Sequence, residues 1–142
     1  MIFLQEIVPE TKSILVDSLS SIYEFTSGNL TEFYNGFNAA NLNPKEYFTM
    51  ILHKKKTCSI VSKDVILFEN SVMNRNLLKV NLIYKKMVNL CAMTTHLEST
   101  KEFASQRVVQ LKKCLNQVQE QSPNTIVFFG GDLNIRDSEV IK

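Results

Sequence analysis

The side chains of this sequence that could do chemistry fall into four short clusters, each beside an apolar run: Gln5-Glu6, Arg75-Asn76, His96 to Ser99, and Asp132 to Arg136. The last cluster is the richest. Thr125 to Phe129 is β-branched and aromatic and reads as a strand buried on both faces. It breaks into Gly130-Gly131, where a backbone can bend or admit a close neighbour. Residues two apart in a strand share a face, so if the extended geometry continues, Asp132 and Asn134 point the same way. A carboxylate beside an amide at a strand's end can hold a metal-bound water and a phosphate oxygen. The same Gly-Gly-Asp-Leu-Asn string reads equally well as a polar turn. Taken singly, the others have ordinary readings too: Glu6 a carboxylate on a loop, His96 a hydrogen-bonded half-buried histidine, Ser99 a helix N-cap, Arg136 a surface charge.

The elements that must position these residues can be traced along the chain. Ile2 to Leu4 predicts a short buried strand ending at Gln5-Glu6. Pro9 suits a first helical turn, and Ile14, Leu15, Leu19 and Ile22 fall on one helical face. Ile22 to Phe25 begins a second strand, and Ser27 to Pro44, rich in Asn, Gly and Thr, reads as a long surface loop or insertion. Tyr47 to Leu52 returns to strand character; Thr57 to Phe68 predicts one or two strands around the polar break Ser62-Lys63-Asp64. Leu78, Val80, Leu82 and Tyr84 form a period-two inward row, matched across a Lys85-Lys86 turn by Val88, Leu90, Ala92 and Thr94. This hairpin lacks the usual turn glycine. A helix is predicted from about Thr100 to Gln121, with Ser99 and Glu102 at capping-box spacing and Ala104, Val108, Leu111, Leu115 and Val118 on its packing face. Ser122-Pro123-Asn124 stops it, and the Thr125 strand follows. Such an order, with polar residues at strand exits, predicts a mixed α/β domain.

A chain of 142 residues suits one domain with a real core. The net charge of +2 permits a nucleic-acid partner without arguing for one, so that case rests on Lys54-Lys55-Lys56, Lys85-Lys86 and Lys112-Lys113. Each of these reads first as solvated surface. Cys58, Cys91 and Cys114 are odd in number and lack any Cys-x-x-Cys or Cys/His pattern, which indicates neither a disulfide framework nor a zinc site and fits a reducing compartment. No apolar run approaches a membrane span. Met1-Ile-Phe-Leu is broken at once by Gln5-Glu6 and has no basic leader, unlike a signal peptide. It starts inside what reads as a strand, so the expectation is a missing beginning.

Together and in this order, Leu4-Gln5-Glu6, Thr95-His96-Leu97 and Gly131-Asp132-Leu133-Asn134 resemble the motifs of the endonuclease/exonuclease/phosphatase superfamily, the DNase I-like phosphodiesterases. Longer strings are similar to its tyrosyl-DNA phosphodiesterase branch: Asn74-Arg75-Asn76-Leu77-Leu78, Thr95 to Thr100, Gln110-Leu111-Lys112, and Gly131 to Val140. The resemblance spans nearly the whole chain apart from Ser27 to Pro44. It implies part of a DNase I-like four-layer α/β sandwich, two packed mixed β-sheets flanked by helices, with residues 1–142 a single partial domain truncated at both ends. The family's Trp-Asn strand would lie before Met1 and its Ser-Asp-His motif after Lys142. His53, beside Lys54-Lys55-Lys56, is outside any such motif.

The resemblance also implies a metal-dependent phosphodiesterase that uses magnesium, with manganese as a substitute. In it Glu6 and Asp132 would be the metal-site carboxylates, Asp132 would activate or orient water, and Asn134 would position that water or the phosphate. His96 would donate to a phosphate oxygen, and Ser99 and Arg136 would contact the phosphate or DNA, as a hydroxyl and a guanidinium do well. The implied partners are DNA with a 5′-tyrosyl adduct and the covalently trapped topoisomerase, met in DNA repair by a monomer in the nucleus, and also in the cytoplasm, with no membrane involved. Tyr47, Lys101 and Lys54 to Lys56 are further candidate DNA contacts, each also read as packing or solvation. Glu98 shares His96's face if the strand persists, or pairs with a nearby base. Two other readings stay open: a catalytically incomplete fragment or binding module of the same fold, and another superfamily member, an abasic-site endonuclease or a lipid phosphodiesterase.

Overall fold

The computed structural model describes residues 1–33 and 47–140. In chain order the elements are β1 (Ile2–Ile7), α1 (Pro9–Leu19), β2 (Tyr23–Ser27), α2 (Leu30–Phe33), β3 (Phe48–Lys54), β4 (Cys58–Leu67), β5 (Asn76–Tyr84), β6 (Val88–His96), α3 (Ala104–Gln119), β7 (Thr125–Asp132) and α4 (Asp137–Val140). They build two sheets, β1-β3-β2 and β4-β5-β6-β7. All pairings are antiparallel except β6 with β7.

Alternation explains the stacking. Ile51 of β3 and Phe3 of β1 meet Leu78, Val80, Leu82, Leu90 and Ala92, the inward row of the β5-β6 hairpin. The neighbours Met50 and Leu52 face the other way, onto Leu15 and Leu19 of α1. On the far side Leu77, Cys91 and Met93 face Leu111, Cys114 and Val118 of α3. The layers therefore run helix, sheet, sheet, helix, the four-layer α/β sandwich of DNase I-like proteins. Each fully buried aliphatic side chain in the central layer contributes ~1.5–3 kcal/mol.

The hairpin register is as expected, Leu78 opposite Thr94 and Val80 opposite Ala92. Its turn works without glycine because both Lys85 (φ 48) and Lys86 (φ 60) adopt the left-handed region. Met87 N–H closes it onto the Tyr84 carbonyl at 3.0 Å. Two positive-φ central residues match the twist of the flanking strands.

The Thr57 to Phe68 stretch is one strand, within the one or two expected; Ser62, Lys63 and Asp64 pair regularly with β5, and the register shifts just before them, between Ile60 and Ser62. Several other expectations are corrected. Ser27 belongs to β2 and Leu30–Phe33 forms a helical turn; the rest of the loop expected up to Pro44 lies outside the described residues. Ile14 is 67% exposed, and Ile22 lies past the end of α1, so among the described residues that helix meets the sheet's core cluster through Leu15 and Leu19. β7 is not buried on both faces: Val127 and Phe129 pack toward α3, while Ile126 and Phe128 are about half exposed. The long helix begins at Ala104 rather than Thr100, and its deepest residues are Arg107, Gln110 and Cys114, while Leu115 is exposed. Among the described residues no helix is long and apolar enough to cross a membrane.

Candidate active site

β6 and β7 run parallel and end together, with His96 in register with Asp132. The chain end of one is tied to the other: Leu97 N–H donates to the Asp132 carbonyl at 2.9 Å. This closeness needs Gly131. Its φ is +153°, and a Cβ built there would lie 2.0 Å from the Thr95 carbonyl oxygen. Only a residue without a side chain lets the two strand ends approach so closely.

Extended geometry stops at Asp132, so Asp132 and Asn134 do not share a face by pleat. Asn134 turns into the left-handed region (φ 50) and its N–H donates to Asp132 Oδ1 at 3.0 Å, an Asx turn. Its side-chain Nδ2 donates to the Leu97 carbonyl at 3.1 Å. The stretch is therefore a polar turn, and the turn aims its carboxylate at His96. Asp132 Oδ2 lies 3.6 Å from His96 Nε2.

The end of β1 joins the same edge. Gln5 Nε2 donates to Thr94 Oγ1 at 3.0 Å, tying the two sheets together there. Glu6 follows with φ 57 at an irregularity in the β1-β3 pairing, exposed and near enough for its charge to act on His96.

The fourth member is Arg75, which the motif reading names among the residues able to do chemistry without assigning it a role. Its Nη1 lies 2.9 Å from His96 Nδ1, and its Nη2 donates to Ser99 Oγ at 3.3 Å. A guanidinium only donates, so Nδ1 must accept and the proton of a neutral His96 sits on Nε2, facing Asp132. Burial first, then the positive Arg75, hold the His96 pKa below its usual value; Asp132, Glu6 and Glu98 pull the other way. The pair is a neutral imidazole donor beside a carboxylate rather than an ion pair. A signal for Arg75 was present in the hairpin: extending the register of Leu78 opposite Thr94 puts residue 76 across from His96 and residue 75 across from Leu97.

The remaining candidates divide. Ser99 is not an N-cap, since α3 starts after Phe103 without a side-chain cap bond, and its hydroxyl serves Arg75. Glu102 bonds Thr100 instead of closing a capping box, which holds its pKa below the usual value. Glu98 does not share His96's face or pair with a base; β6 ends at His96 and the Glu98 carboxylate is fully buried. Arg136 is exposed in a groove with Lys101 and Ser105 at the start of α3, while the bonds of His96 and Ser99 go to Arg75. Tyr47 lines a hollow with Asn74, Arg75 and His96. Lys54 to Lys56 lie at the other end of β3, about 20 Å along a seven-residue strand. Lys112 is exposed on α3 and Lys113 donates to the Leu67 carbonyl at 2.9 Å.

As a metal site, Glu6 offers hard carboxylate oxygens free to solvent, which suits magnesium, an ion that takes one or two carboxylates and keeps water. Asp132 has the same donor type with both oxygens already facing partners. Among the described residues no three histidine, cysteine or acidic side chains gather as a ready cage. The cysteines are free thiols; burial raises the pKa of Cys91 and pushes that of Cys114 up to about 12, so neither is a nucleophile.

Along its whole length the chain is 38% identical over 142 residues to tyrosyl-DNA phosphodiesterase 2 of Homo sapiens, and 39% to that of Mus musculus. This chain is homologous to tyrosyl-DNA phosphodiesterase 2. It spans about a third of the length of these curated relatives, 35% and 34%. Tyrosyl-DNA phosphodiesterase 2 from D. rerio, solved with a single-strand DNA product, superposes with a TM-score of 0.80 and 32% identity, over 97% of this chain and 49% of that one. The 2′,3′-cyclic phosphatase ANGEL2, at 19% identity and a TM-score of 0.72 over 95% of this chain and 40% of that one, shares the fold alone. No protein-family model matches the chain.

Proposed function

We propose that this chain carries the central part of a divalent-metal-dependent phosphodiesterase that hydrolyses the 5′-tyrosyl bond between DNA and a trapped topoisomerase. One observation carries the reading: His96 is held as an Nε2–H donor by Arg75 and faces Asp132 at the shared end of β6 and β7. The homology to tyrosyl-DNA phosphodiesterase 2 supplies the substrate class.

In this reading Arg75 and Ser99 grip a phosphoryl oxygen, and His96 donates to another as negative charge grows in the transition state. Asp132 orients a water and takes its proton; Asn134 holds Asp132 in place through its N–H. The new phosphorus–oxygen bond forms as the bond to the tyrosine oxygen breaks, leaving a 5′-phosphate and a phenolate. A phenol with a pKa of about 10 leaves far more readily than a sugar hydroxyl, so little general-acid help is needed. Magnesium, or manganese in its place, would be held by Glu6 with Asp132 and would offset charge on the phosphoryl oxygens. The same reading places the protein with DNA, in the nucleus, as a monomer.

The test is release of tyrosine from a 5′-tyrosyl oligonucleotide by the protein that carries this chain. Asp132→Asn should cut turnover by roughly 10²–10⁴-fold with an unchanged thermal melt. Unaltered turnover overturns the role of Asp132. Tight binding without release points to a binding module, and cleavage of an abasic site or a lipid phosphodiester instead points to another superfamily member.

A further inference from the structure

We infer that Glu98 is a positioning residue: its buried carboxylate builds the turn that delivers the Arg75 guanidinium to His96 and Ser99. The meaning of that delivery rests on the phosphodiesterase reading, but the geometry does not. Glu98 has no exposed surface. Its Oε1 accepts from Ser71 Oγ at 2.6 Å, from Val72 N–H at 2.7 Å and from Met73 N–H at 3.1 Å. Ser71 Oγ in turn accepts from Arg75 N–H at 2.7 Å. One carboxylate oxygen thus sets the path of residues 71–75, and the left-handed Asn74 (φ 55) completes the bend.

Burying a carboxylate is costly unless hydrogen bonds offset it. Among the described residues no cation is bonded to this one: Arg107 donates to the Glu98 carbonyl at 3.0 Å, not to the carboxylate, and Oε2 has no hydrogen-bond partner. The turn is closed at its base, where Ser71 N–H donates to the Phe68 carbonyl at 3.0 Å and Phe68 N–H to that of Arg75 at 3.4 Å, while Val72 at its tip is 64% exposed. Glu98 itself is anchored. Gln110 Oε1 accepts its N–H at 3.1 Å, while Gln110 Nε2 reaches Asn70 Oδ1 at 3.4 Å. Arg107 also donates to the Ser99 carbonyl at 3.2 Å and to that of Thr100. Helix α3 therefore holds Glu98, Glu98 holds the turn, and the turn holds Arg75. The bonds lead from the buried carboxyl group to Arg75, which touches both His96 and Ser99.

Two measurements test this, on Glu98→Ala, Arg75→Gln, their combination, and Leu15→Ala as a control that loosens α1, in the outer layer opposite α3. Amide hydrogen exchange at Val72, Met73 and Arg75 should speed up at least tenfold in Glu98→Ala and stay unchanged in Leu15→Ala. Affinity for phenyl phosphate should fall about tenfold in Glu98→Ala and in Arg75→Gln, with no further loss in the combination, because both remove one contact. Glu98→Gln, which keeps an acceptor oxygen, should recover most of the affinity. Unchanged exchange in Glu98→Ala, or losses that add, overturns the inference. If the unmodified protein binds no phenyl phosphate, the functional reading fails, and the exchange of Arg75 alone decides the role of Glu98.

Discussion

Gly131 and Arg75 show how much depends on single residues. A methyl at Gly131 has nowhere to go but into the Thr95 backbone, and its φ of +153° is unsuited to an L side chain. Gly131→Ala should destabilise the chain by on the order of 3 kcal/mol in urea melts, and pull Asp132 from His96. Arg75 fixes the imidazole by charge and by direction. At neutral pH, ¹⁵N NMR should find His96 neutral with its proton on Nε2. Arg75→Gln should raise the His96 pKa, because it removes the positive neighbour that helps hold it down. The clusters around Glu6, His96 and Asp132 were legible as strings of residues. Arg75 and Asn76 were visible too, but only their place across the hairpin from His96 gave Arg75 its function.

At the scale of elements, the β5-β6 hairpin was legible to the residue, since alternation is a local signal. Helix α3 was only half so. Its apolar spacing predicted a face through Leu115, whereas Arg107 and Gln110 face inward because loop carbonyls and amides await them there. Arg107 also pairs with Glu139 at 2.5 Å, whose pKa this bond lowers. In the three-stranded sheet, β2 and β3 place Glu24 opposite His53, with 3.2 Å between His53 Nε2 and the Glu24 carboxylate. His53 is fully buried, neither ring nitrogen makes an aligned hydrogen bond among the described residues, and desolvation outweighs Glu24 to lower its pKa. A histidine held below its unfolded value of about 6.5 takes up protons more readily when unfolded. Its stabilising contribution is therefore full above pH 6.5 and declines as pH falls through that value. Urea melts between pH 7.5 and 5 should show falling stability, and His53→Leu should flatten the slope, leaving the part due to His96.

Across the whole molecule, the chemistry gathers at one end of the sandwich and the lysine turns at the other. Lys85 N–H donates to the Thr57 carbonyl at 2.7 Å, so Lys54 to Lys56 and Lys85-Lys86 sit side by side, remote from His96. At the sheet edge, Met1, Phe3 and Phe128 line an open apolar hollow, and Ile126 beside it is exposed. Residues 1–142 expressed alone, apart from the protein that carries them, would leave this hollow open to water and should self-associate. Sedimentation of this chain should show concentration-dependent oligomers, and Phe128→Ser should reduce them; a monodisperse monomer with a sharp melt would contradict this.

The order of strands and helices and the residues able to do chemistry could be read from the amino acids, because turn residues, alternation and side-chain type are local properties. Folding was needed to bring β6 and β7 to a common end in register, to present Asp132 through a left-handed Asn134 rather than a pleat, and to turn Glu98 inward while Arg75 reaches His96. These depend on hydrogen bonds between residues about 20 to 40 positions apart, for instance Val72 to Glu98 and Asn134 to Leu97. Such bonds form only once packing of the two sheets and α3 has removed water as the competing partner.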